Sequence, residues 1–206
     1  MLPMVILLYD LFLIQGVTKK NIQRYSFFLL IAILISLVLA LLIAGPSIFN
    51  PKSLISGYQN RGFTLSERLL TEPRVILFYI SLLLYPMPNR LCFEHDIPLS
   101  ISLFTPLSTI LSIVAILLVL CLTVRGARKW PFISFCIIFF FLNHLIEASV
   151  FPIEIIFEHR NYLPSMLFFA PIAILLLKGI QFFSSRKALQ ALLIIFLILV
   201  PIGWGH

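Results

Sequence analysis

The sequence predicts an all-α, polytopic membrane protein with about six transmembrane helices and an interfacial helix in a long outer loop. Three observations carry that expectation. Mean hydropathy is +1.09, with 61% hydrophobic and only 11% charged residues, too few polar groups to clothe a soluble globule. The apolar residues fall in runs close to the roughly 20 needed to cross about 30 Å of hydrocarbon. Between the runs, charges sort by sign.

The first expected span is residues 2–14, short and interrupted by Asp10, which needs a buried partner or a place near the inner end. The opening MLPMVILLYD lacks the basic region and small-residue cleavage site of a signal peptide, and reads as the interior of a longer protein. Residues 17–25 form a basic connection with Lys19, Lys20 and Arg24, leading into the second span, 26–44.

The connection 45–100 is long and holds Glu67, Glu72, Glu94 and Asp96. Within it the apolar stretch 75–85, closed by Pro73 and Pro86, makes roughly 20 Å of helix, too short to cross. A crossing there would also place the basic connections before and after it on opposite sides, so an interfacial or re-entrant helix is expected. Thr64-Leu-Ser-Glu67 has the capping-box form that satisfies the first free amides of a helix. A Pro-kinked amphipathic helix follows, with Arg68 and Arg74 expected to face solvent or headgroups.

The third span is 101–124, the fourth 131–146, the fifth 163–183 and the sixth 188–204. Arg125, Arg128 and Lys129 lie between the third and fourth, and Lys178, Arg186 and Lys187 towards the end of the fifth and beyond it. None of the three basic segments contains an acid. The connection after the fourth span carries Glu147, Glu154 and Glu158. Basic connections on the cytoplasmic side and acidic ones outside satisfy the positive-inside rule, with Tyr25 and Trp130 at the inner interface and Trp204 at the outer. The net charge of +7 and pI near 9.6 therefore report topology, and the expected partner is the lipid bilayer, not nucleic acid. Cys92, Cys121 and Cys136 make an odd set without a metal-type or disulfide spacing. The chain reads as a single transmembrane domain over 1–206.

Three polar clusters share the outer face: Arg90 with Glu94, His95 and Asp96; Asn143 and His144 with Glu147; and Glu154 with Glu158, His159, Arg160 and Asn161. His95, Asp96, His144, Glu147 and His159 are suitable metal ligands, but no pair has a diagnostic spacing, so no metal and no cofactor are expected. Glu94, Asp96 or Glu158 would suit general acid or base work, yet no catalytic residue can be assigned without a partner geometry. Arg160 stands at headgroup depth beside a span, where its planar fork matches phosphate oxygens. The competing role for Arg160 is an ion pair with Glu158 or Glu154 that staples the loop. Lipid-phosphate binding is thus expected of Arg160, His159, Glu158 and Glu154, with support from Arg90, Glu94, His95 and Asp96.

Two stretches resemble a known family. One is residues 61–79, RGFTLSERLLTEPRVILFY, running on to Pro88 and to His95-Asp96; the other is SVFPIE at 149–154, leading to EHRNYLPS at 158–165. The second is similar to a Glu-Arg-x-x-Tyr-Leu-Pro-Ser segment with a shifted basic residue. Both resemble GT-C superfamily glycosyltransferases of the tetratricopeptide-repeat O-mannosyltransferase type and their bacterial relatives, over most of residues 1–180. The resemblance implies a polyprenyl-phosphate-linked sugar donor, transfer on the non-cytoplasmic face of a bacterial plasma membrane, and the C-terminal half of a GT-C membrane module. It also implies that the family's acidic catalytic motif lies N-terminal to this sequence, so the missing half or a partner subunit is an expected partner. An O-antigen ligase or polymerase is a second reading, against which the Tyr-Leu-Pro-Ser match counts; a non-enzymatic membrane subunit or transporter component is a third.

Overall fold

A computed structural model describes residues 2–44, 57–59, 61–87, 90, 97–147, 153–182, 187, 191 and 194–195. Every regular element among them is helical. Helix α1 (Leu2–Tyr9) continues into a π-helical stretch, Asp10–Ile14, so the first expected span is helical throughout. The Gln15 amide bonds Asp10 O at 2.8 Å, and Gly16 then reverses the chain at φ +77°, a conformation open chiefly to glycine. Asp10 has the partner its position demands, the hydroxyl of Tyr25.

Helix α2 (Lys19–Ala44) begins earlier than expected: Lys19, Lys20 and Arg24 are helical, not part of a basic loop. The start is set by the Thr18 hydroxyl, which accepts from the Asn21 amide at 3.2 Å, while the Asn21 side chain donates to Gln15 O and Gly16 O.

Helix α3 (Leu65–Leu84) corrects a second expectation. It starts at the expected capping box and runs unbroken for 20 residues through Pro73, longer than the short apolar helix expected between Pro73 and Pro86. Its buried residues are Arg68, Thr71, Glu72, Val75, Tyr79 and Leu82, a stripe at helical spacing. Arg68 is therefore fully buried, not facing solvent, because it lies on the stripe; it pairs with Glu72 at 2.9 Å and donates to Ile153 O.

Helix α4 (Ser108–Gly126) starts seven residues later than the expected span. Pro106 disfavours helical backbone in the residue before it, so the helix cannot extend back through Thr105. Its 19 residues make about 29 Å. Its side chains are distributed inside out: Thr109, Ser112 and Thr123 are buried, whereas Leu111, Val114, Leu117, Leu118 and Leu122 are exposed. The buried hydroxyls of Ser112 and Thr123 are satisfied by Ser108 O and Val119 O, each at 2.7 Å.

Helix α5 (Pro131–Glu147) follows a tight turn and begins with proline, whose missing amide costs nothing there. It is the central helix, packed against α4, the π-helical stretch, α6 (Tyr162–Ser165) and α7 (Phe169–Phe182). A 3-10 turn, Glu158–Asn161, precedes α6. The fifth expected span is not one straight helix: the segments Glu158–Ser165 and Phe169–Phe182 meet at 52°. Pro171, in the first turn of α7, has no amide with which to continue a helix from Leu167.

Among the described residues, α4 alone is long and apolar enough to cross a membrane, with the bent pair a second when counted as one span. The helices over Leu2–Ile14 and Pro131–Leu145 are apolar but shorter. The sixth expected span, 188–204, lies almost wholly outside the described residues.

The basic segments gather at the C-terminal end of α4. Arg128 Nε donates to Val17 O at 3.2 Å, and the ammonium of Lys178 lies 3.4 Å from the Trp130 ring centroid. The acid-bearing segments gather at its N-terminal end. There Ser100 bonds the Thr109 hydroxyl at 2.7 Å and, through its amide, Thr71 Oγ1 at 2.9 Å. Arg74 also reaches this strip, donating to Pro98 O at 2.7 Å and Ser100 Oγ at 3.1 Å. Since Thr71 sits near the start of α3 and Ser100 comes after it, the chain is back beside the start of α3 by Ser100.

Candidate functional site

The segment 153–161 is laid against α3 by main-chain contacts. Arg68 holds Ile153 O, and the Tyr79 hydroxyl accepts from the Phe157 amide at 2.8 Å and donates to Phe157 O at 3.0 Å. Phe157 is extended (φ −148°, ψ 122°) and its carbonyl accepts the Arg160 amide at 3.1 Å, opening the 3-10 turn. The Tyr79 ring stacks on His144 of α5, centroids 5.4 Å apart and 15° from parallel, so α3 and α5 form the floor beneath the turn.

On that floor Arg160 is half-buried. Its guanidinium lies 4.9 Å from the Phe157 ring centroid and donates to the main-chain oxygen of Glu154. Of the two carboxylates weighed as ion-pair partners for Arg160, that of Glu154 binds Arg61, because the segment before α3 comes alongside residue 154. Glu154 thus has a guanidinium on its side chain and another on its backbone. His159 is exposed with its ring against Phe157 at 5.1 Å, and Glu158 opens the turn, half-buried.

Arg61 borders an open hollow of about 760 Å³ whose other walls include Tyr58, Phe63, Thr64 and Glu67. The capping box expected at Thr64 is present: Glu67 accepts from the Thr64 amide and hydroxyl, both at 2.8 Å, which holds its carboxyl below the usual carboxylate range. Burial pushes the Tyr58 phenol up, against the lowering influence of Arg68.

Arg90 does not join this group. It folds back over the end of α3, donating to Ser81 Oγ at 2.7 Å and Tyr85 O at 3.2 Å, with Phe78 and Tyr85 rings beneath it. A cation at a helix C-terminus is favoured by the dipole, which explains its place there in preference to a shared vestibule. Glu94, His95 and Asp96 lie outside the described residues, as does the side chain of Glu147. Among the described residues no three metal-binding side chains come together, and His144 is buried between Tyr79 and the Phe140 ring, not open to the vestibule.

Arg61 and Tyr79 went unassigned in the sequence. Tyr79 was detectable as a member of the stripe 68, 71, 72, 75, 79 and 82; the partner of Arg61, 93 residues away, had no local signal. No protein-family model, curated protein or solved structure matches the chain.

Proposed function

We propose that this chain is a multi-pass protein of the bacterial plasma membrane that binds a polyprenyl-phosphate-linked sugar on the non-cytoplasmic face, as part of a GT-C-type glycosyltransferase module. The inside-out side-chain distribution of α4 supports the membrane setting, since small hydroxyl residues suit helix contacts in lipid and large apolar ones face the acyl chains. With the chain back beside the start of α3 by Ser100, crossings by residues 2–14, 26–44, α4, α5 and the bent α6–α7 unit keep the basic segments together. The positive-inside rule makes their end cytoplasmic and puts Arg160 outside.

One observation carries the binding reading. Arg160 is fixed by a ring and a main-chain carbonyl, neither of which neutralises it, while one of its two expected counter-charges, the Glu154 carboxylate, is taken by Arg61. A guanidinium so oriented keeps its charge and fork for a phosphate. Arg160→Lys retains charge and loses the fork, so undecaprenyl phosphate should bind the purified variant about tenfold more weakly. Equal binding by the lysine variant, with unchanged elution and melting, would leave Arg160 a structural residue only.

A further inference from the structure

The basic end carries a site that the donor-binding reading does not use. Lys178 and Lys129 both approach the Trp130 indole, at 3.4 and 5.9 Å from its centroid. Arg128, the neighbour of Lys129, reaches Val17 O at 3.2 Å and so lies beside Lys19 and Lys20 at the start of α2. All five cations are exposed. Asp10, in the π-helical stretch that leads to Val17, is engaged by the Tyr25 hydroxyl. Two ammonium groups held on one indole, beside three further cations, repel one another unless an anion lies between them.

We infer that this end binds the phosphodiester headgroup of an anionic phospholipid, with Arg128, Lys129 and Lys178 around the phosphate, Lys19 and Lys20 at its edge, and Trp130 at the boundary with the acyl chains. A lipid fits better than a free anion because the cations surround an amphipathic ring, and because the adjoining flank of α4 exposes Leu118, Leu122 and Val124, against which acyl chains pack. The inference rests on the membrane orientation proposed above and is independent of the Arg160 site.

Trp130 reports on it directly, since Trp204 is the only other tryptophan. The full chain carrying Trp204→Phe, in dodecyl maltoside micelles, is titrated with dioleoylphosphatidylglycerol, dioleoylphosphatidylcholine or inorganic phosphate while tryptophan emission is followed. Phosphatidylglycerol should saturate the signal about tenfold more tightly than phosphatidylcholine, and raising sodium chloride from about 50 to about 500 mM should weaken it several-fold. Arg128→Gln with Lys178→Gln should lose about tenfold, whereas Lys178→Arg should bind as the parent does. Indifference to headgroup, to salt or to the double substitution overturns the proposal. Saturation by millimolar inorganic phosphate would overturn the lipid assignment in favour of a free-anion site. The salt series needs no substitution at the basic end, so it decides the matter even where the double variant fails to fold.

Discussion

The Tyr79 hydroxyl completes both main-chain hydrogen-bonding groups of Phe157, accepting from its amide at 2.8 Å and donating to its carbonyl at 3.0 Å. One phenol on α3 therefore sets the residue on whose ring Arg160 rests. Tyr79→Phe keeps the ring stacked on His144 but leaves two peptide groups without this partner. It should lower stability by about 1–3 kcal/mol in detergent unfolding and weaken undecaprenyl phosphate binding along with it. Wild-type melting in the phenylalanine variant would show that the turn is held by other contacts.

The Arg68–Glu72 pair is buried on both sides, with side-chain exposures of 0% and 7%. Removing one member strands the other, so Glu72→Ala should cost about 3–5 kcal/mol, measured by denaturant unfolding in micelles. Arg68→Met combined with Glu72→Leu should recover most of that loss, because neither charge is then left alone in an apolar setting.

At the start of α3 the Glu67 carboxyl is held below its usual range by the Thr64 amide and hydroxyl. A group whose folded-state pKa is depressed contributes stability above its unfolded value, and loses that contribution as pH falls through the folded one. Melting temperature should thus decline on acidification from the ordinary glutamate value, 4.5, downwards. Thr64→Ala should lower the neutral-pH melting temperature by a few degrees, taken as the loss of an exposed cap, and make the acid decline shallower. An identical acid limb in both proteins would place the pH dependence elsewhere.

Topology is testable by labelling. With the three native cysteines replaced by serine, single cysteines at Gly62 and Lys129 should react with a membrane-impermeant maleimide from opposite sides of a sealed vesicle. Labelling of both from one side would reject the proposed orientation.

What was readable in the sequence was local. The capping box at Thr64 and Glu67 is four residues long, and the segregation of Lys and Arg from Asp and Glu needs only a scan along the chain. Local signals also misled. Pro73 reads as a helix breaker, yet the stripe from Arg68 to Leu82 buries enough on both sides of it to carry α3 through. Lys19, Lys20 and Arg24 read as loop residues, although Thr18 and Asn21 had already fixed a helix start. The 52° bend before α7 was announced by Pro171 but overlooked in a uniformly apolar run. The candidate site was least legible because its ties join distant segments: Arg61 to Glu154, Arg68 to Ile153, Tyr79 to Phe157. No periodicity within either segment encodes its match with the other.

The Arg68 contact has a consequence for biosynthesis. Its carbonyl partner, Ile153, lies 85 residues later in the chain. At about 5–20 residues per second, a ribosome delivers that oxygen roughly 4 to 17 seconds after Arg68 itself. Glu72, one helical turn on, is the partner that emerges almost with it. The nascent α3 thus carries its own counter-ion from the start, and final docking is deferred until the segment that will lie over it has been made.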